Sequence, residues 1–129
     1  MKILLSGHDG AMGKTFVSCY EIAAAYSNQE SINPYPSYTN LNDVQEEIDV
    51  IIDFSHSSNL ETILEFAVEK KIPLLIATTG ISENQHSLID EASKIIPILQ
   101  SGNFSKGLNI MAQVAKDLSA VLNKYDIEI

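Results

Sequence analysis

The chain has 129 residues, the usual size of one folding domain and enough to bury roughly two-thirds of the unfolded surface in a single core. All 8 basic residues are Lys, set against 17 Asp and Glu for a net charge of −9. That balance excludes nucleic acid as a partner and a basic membrane-surface helix, because both need clustered cations. Cys19 stands alone and no CxxC pair occurs, which argues against an internal disulfide or a structural zinc and for a reducing compartment. No signal-length or membrane-length apolar run opens the chain, so the expectation is a cytoplasmic protein with no membrane contact and no metal site.

In chain order, short apolar runs alternate with segments of helical period, the pattern of βα units on a parallel sheet covered on both faces. The runs are 3–5 (ILL), 50–52 (VII), 74–77 (LLIA) and 95–99 (IIPIL). A first helical stripe is read through Phe16, Tyr20, Ala23 and Ala24. A second runs through Leu60, Ile63, Leu64, Ala67 and Val68, with Ser58 and Glu61 at capping-box spacing and Pro73 beyond its end. Ser82 and Gln85 repeat that spacing before a helix predicted over 83–94. The longest helix carries Leu108, Met111, Ala112, Ala115, Leu118 and Leu122 as a core stripe, and 125–129 (YDIEI) alternates as the start of a strand. Segment 27–42 holds two prolines and two aliphatic residues, so it is predicted as loop or a truncated edge strand. The fold class expected is α/β: a single-domain, Rossmann-like doubly wound parallel sheet whose second strand is shortened or missing.

Between the first strand and helix lies SGHDGAMGKT, with Gly7, Gly10 and Gly13 three residues apart. Glycines there permit a sharp turn and close approach to a ligand, and the free N–H groups of a helix start can hold pyrophosphate. Asp9 stands in place of the middle glycine of the usual GxGxxG. A competing reading is the phosphate loop of NTPases, since Gly13-Lys14-Thr15 matches the end of GxxxxGK[ST], although its first glycine would fall on His8. A third is a turn whose glycines serve packing alone.

Each later strand ends in a distinctive peptide: Asp53-Phe54-Ser55, then Ala77-Thr78-Thr79-Gly80, then Ser101-Gly102-Asn103-Phe104-Ser105-Lys106-Gly107. Ligands of open parallel sheets bind beyond the C-terminal strand ends, so these loops should face one cleft. Together with GxxGxMG, the order DFS, ATTG and NFSxG resembles the dihydrodipicolinate reductase family over the whole chain except 27–42. The resemblance implies a nicotinamide-dependent enzyme of lysine and diaminopimelate synthesis, using NADH or NADPH. It implies that Gly7, His8, Asp9, Gly10, Ala11 and Met12 contact the cofactor pyrophosphate. It likewise implies that Ala77, Thr78 and Thr79 lie along the nicotinamide and its ribose, with Ser101, Gly102, Asn103 and Phe104 closing over the ring.

The sequence departs from the family at several points. Ser57 stands where the family usually has proline, and Ala77 where it often has glycine. Glu30, twenty residues beyond Gly10, is the candidate acid for the adenosine ribose, and the absence of Arg leans toward NAD over NADP. The family's catalytic signature HHxxKxDAPSGTA does not occur, so no catalytic residue is assigned. Residues 1–125 are therefore expected to form the dinucleotide-binding domain, and 126–129 the start of a strand leading to an absent substrate-binding and tetramerisation domain. That second domain would bind a small dicarboxylate, and the family is homotetrameric. The 129-residue chain by itself is expected to lack turnover; a non-catalytic nucleotide-binding module remains the alternative.

Single residues have plainer readings too. His56, near the expected cleft mouth, suits a turn as well as a ligand contact, and His86 sits on a solvated helix start. Lys106 is read as solvated, Phe16 and Tyr20 as helix-to-sheet packing, and Asp53 as an acceptor of local hydrogen bonds rather than a general base.

Overall fold

A computed structural model describes residues 1–30 and 32–122. Six strands, β1 (Ile3–Ser6), β2 (Ala24–Tyr26), β3 (Ser37–Tyr38), β4 (Val50–Asp53), β5 (Leu74–Ile76) and β6 (Ile98–Gln100), form one sheet in the order β3-β2-β1-β4-β5-β6. Every pairing is parallel. The chain winds outward from β1 in one direction, then returns to start again at β4, so the order reverses between two central strands. That is the doubly wound arrangement expected from the apolar runs.

Alternate residues of the strands feed two cores, as the period of two requires. Leu4, Ile51, Leu74 and Ile76 face α2 (Leu60–Lys70) and α3 (Glu83–Ser93), whose Leu60, Ile63, Leu64, Ala67, Ile89 and Ala92 are buried with them. Ile3, Leu5 and Ile52 face α1 (Ala11–Cys19), where Phe16, Val17, Phe54 and Leu75 are only partly covered.

Several expectations change here. The first helix ends at Cys19, and Ala24 belongs to β2. Ala24 and Ala25 are fully buried between β1 and β3, so tertiary pairing overrides alanine's helical preference. The second strand is thus short but present and interior. β3 is a two-residue edge strand, where proline costs little: Pro36 lends its carbonyl to Ala25 N–H at 2.8 Å.

The helix starts differ as well. Ser82 and Gln85 close the predicted capping box on α3. Ser58 and Glu61 do not on α2, because a short 3-10 turn, Ser57–Asn59, precedes that helix and is capped by the His56 side chain. The run 95–99 contributes only its end to β6. The stripe on α4 (Lys106–Val121), Met111 included, is exposed rather than core: no residue of that helix is buried. Periodicity identifies an apolar face; coverage depends on what packs there. The YDIEI strand lies outside the described residues.

Candidate functional site

The β1–α1 loop lies where the strand order reverses, at the C-terminal edge of β1 and β4. Gly7 takes φ +75°, and a Cβ on it would stand 2.7 Å from the Phe54 carbonyl carbon and the Ser55 nitrogen. Gly13 is equally constrained, since a Cβ would run into Gly7 O and His8 Cα. These two glycines satisfy the packing reading. Gly10 does not, because the nearest atom to an added Cβ is Gly7 O at 3.5 Å, an ordinary contact. Gly10 opens α1, whose first turn has neither a side-chain cap nor an acidic residue, whereas Ser82 caps α3 and Ser105 caps α4. An uncapped positive helix end beside an unobstructed glycine fits a diphosphate.

Two clefts flank this loop. The smaller, about 300 Å³, lies between it and the end of β2, lined by Gly7, Asp9, Gly10, Ser27, Asn28, Gln29, His56 and Asn59. The larger, about 640 Å³, lies toward β5 and β6, lined by Met12, Phe16, Ile52, Leu75, Ala77, Thr78, Thr79, Gly102, Asn103, Phe104 and Ser105. Phe54 and Ser55 line both, forming the ridge between them.

A buried carboxylate holds the ridge. Asp53 is fully buried; its Oδ1 accepts the Ser55 N–H at 2.9 Å and the Ser55 hydroxyl at 2.6 Å, and its Oδ2 accepts the Thr78 hydroxyl at 2.7 Å. Thr78 also donates to Ser55 O at 3.1 Å. Asp53 is therefore the acceptor of local hydrogen bonds foreseen from the sequence, and it ties the end of β4 to the ATTG loop.

Phe16 packs edge-on to Phe54, ring centres 5.9 Å apart, and makes an apolar wall of the larger cleft. Sequence reading placed it in simple helix packing. Its position one turn beyond Met12, on the same helix face, was the available signal. Tyr20 lies against Phe16 but is largely exposed. The 101–105 loop is shaped by its own hydrogen bonds: Ser101 Oγ donates to Asn103 O at 2.9 Å, and Asn103 Oδ1 accepts Ser105 N–H at 2.7 Å. Gly102, Asn103 and Phe104 line the cleft, and the Ser101 side chain braces them.

Within the glycine loop, the His8 ring is buried, 5.7 Å centre to centre from Tyr35, with Nδ1 3.3 Å from the Tyr35 hydroxyl. Burial pushes its pKa below the ordinary value, against a smaller upward pull from the Asp9 carboxylate. Glu30 lines a separate cleft with Gln29, Ile32 and Tyr38, so the end of β2 is followed instead by Ser27 and Asn28. Lys14 lies on another surface with Val17, Cys19 and Tyr35, away from both clefts of the loop. A phosphate loop needs that lysine over the phosphates.

Comparison with known proteins gives the family and the fold. The 4-hydroxy-tetrahydrodipicolinate reductase of Caldanaerobacter subterraneus subsp. tengcongensis is 36% identical over 135 residues, taking in 100% of this chain and 54% of its own length. The enzyme of the same name from Clostridium tetani is 38% identical over 137 residues, with the same 100% and 54%. The chain thus spans about half the length of these relatives. In three dimensions, the dipicolinate-bound dihydrodipicolinate reductase from Paenisporosarcina sp. TG-14 superposes with a TM-score of 0.78 at 18% identity, covering 93% of this chain and 54% of that one. Aspartate dehydrogenase from Thermotoga maritima gives 0.61 at 15% identity, covering 88% and 50%. Both share the fold. The sequence pattern of the family described as dihydrodipicolinate reductase, N-terminus, runs through residues 1–104, from β1 to the loop that ends at Phe104, and the chain belongs to that family.

Proposed function

We propose that this chain is the nicotinamide-dinucleotide-binding part of a 4-hydroxy-tetrahydrodipicolinate reductase of lysine and diaminopimelate synthesis. The observation that carries the reading is the pair of clefts meeting at Phe54 and Ser55, with the uncapped start of α1 between them. A dinucleotide has the matching three parts: a polar adenosine half, a diphosphate, and a flat nicotinamide half.

In this reading Ala11 and Met12 present N–H groups to the diphosphate, Gly10, whose own N–H donates to Gly7 O at 3.2 Å, allows its close approach, and the smaller cleft takes the adenosine ribose. The larger cleft takes the nicotinamide against Phe16, with Ala77 to Thr79 on one side and Gly102 to Phe104 on the other. The bound cofactor, NADH or NADPH, supplies the hydride for the cyclic substrate, which loses water in the overall reaction. The chain's own residues hold the ring in place and keep water from it. The dicarboxylate substrate and the proton donor belong to the catalytic HHxxK region, which is not among the 129 residues, so binding without turnover is the expected behaviour.

Calorimetric titration of the chain with NADH, NADPH and Mg-ATP tests this. Saturable binding of a reduced dinucleotide with no heat from Mg-ATP is the expected result. Binding of Mg-ATP alone would point to nucleotide hydrolysis, and reductase turnover by the chain itself would overturn the division of labour proposed here.

A further inference from the structure

The smaller cleft contains a carboxylate that does not come from the strand end. In dinucleotide sites of this architecture an acid just past the second strand receives the ribose hydroxyls, or a cation there receives a 2′-phosphate. Here β2 stops at Tyr26 and is followed by Ser27, Asn28 and Gln29. The Asn28 amide is taken at both ends: its Oδ1 accepts the Tyr26 hydroxyl at 3.2 Å and its Nδ2 donates to Asn59 Oδ1 at 2.6 Å. Asp9 reaches across from the glycine loop, and its Oδ2 accepts the Ser27 hydroxyl at 3.4 Å. Its carboxylate therefore sits at the end of β2, with acceptor positions to spare on an exposed group.

The backbone explains how a side chain is tolerated there. Among the described residues Lys71 is the one non-glycine with positive φ, so Asp9 occupies an ordinary conformation. The side chain extends toward Ser27, leaving the diphosphate approach at Gly10 open. Among the described residues no lysine lines this cleft.

We propose that Asp9 is the ribose-recognising and cofactor-selecting residue of this site, accepting the adenosine ribose hydroxyls in place of a strand-end acid and disfavouring a 2′-phosphate. The proposal rests on the dinucleotide reading above and deepens it. A carboxylate with no lysine beside it among the described residues opposes a phosphate dianion and welcomes a hydroxyl donor.

The test uses ADP-ribose and 2′-phospho-ADP-ribose, which probe the adenosine half without the nicotinamide. Calorimetry at low ionic strength on the wild-type chain, Asp9→Asn and Asp9→Gly gives the affinity ratio, with thermal melts to verify folding of each variant. The wild-type chain should favour ADP-ribose by about tenfold or more, and both variants should bring the ratio to within about threefold, an effect that added salt reduces. A ratio unchanged in the variants, with wild-type ADP-ribose binding intact, overturns the role of Asp9 and leaves the dinucleotide site standing. No binding of ADP-ribose or NADH to the wild-type chain overturns both.

Discussion

The two clefts share a ridge but differ in character. The smaller is walled by short polar side chains that bond to one another, Ser27 to Asp9 and Asn28 to Asn59. The larger is walled by Phe16, Phe54, Ile52, Leu75 and Phe104. Polar walls with spare acceptors select among hydroxyls and phosphates, whereas an apolar wall gives area for a flat ring and little directional preference. The proposed selection and ring holding thus fall on different sides of the glycine loop, with the ridge between them.

Removing the ridge's anchor should have the largest effect, because it acts on both sides. Asp53→Ala deprives the Ser55 N–H and two hydroxyls of their buried acceptor, and a loss of about 3 kcal/mol of stability is expected in urea unfolding. Both ADP-ribose and NADH binding should weaken together in that variant. Asp53→Asn keeps an acceptor and should lose about half as much.

Phe16→Ala separates the clefts. It takes an aromatic wall from the larger one alone, so NADH should bind about tenfold more weakly while ADP-ribose changes by less than about twofold. Equal weakening of both ligands would contradict the assignment of the apolar side to the nicotinamide.

The smallest expected effect concerns the loop that both clefts share. Burial lowers the folded-state pKa of His8 from the ordinary 6.5, so the unfolded chain takes up the proton more readily. The neutral ring's contribution is complete above about pH 6.5 and declines as pH falls from there toward the folded-state pKa, below which the difference is constant. Stability measured between pH 7.5 and 5.5 should fall more for the wild-type chain than for His8→Gln, and parallel pH profiles would place the His8 proton outside the folding equilibrium.

Some of this architecture is legible in the residues because local chemistry carries it. Continuous apolar runs mark the buried parallel strands, Ser82 and Gln85 announce their capping box, and prolines at 34 and 36 confine the chain there to an edge. Four ordered loop peptides also mark the family. Other features depend on neighbours far away in sequence. Ala24 and Ala25 are strand because β1 and β3 enclose them, and the apolar stripe of α4 is exposed because nothing among the described residues packs on it. Glu30 has a suitable separation from the glycine loop, but β2 ends at Tyr26, so Glu30 lies in a different cleft.

The sequence by itself determined the sheet's class, the glycine turn and the peptides gathered at its C-terminal edge, since period, glycine spacing and strand-end composition are local properties. Tertiary structure alone decided which side of the ridge each peptide lines, that Asp53 reaches Thr78 across the sheet edge, and that a carboxylate from residue 9 stands at the end of a strand seventeen residues away. Those outcomes depend on register between strands and on side-chain reach across a loop, which parallel pairing fixes only once the whole sheet is assembled.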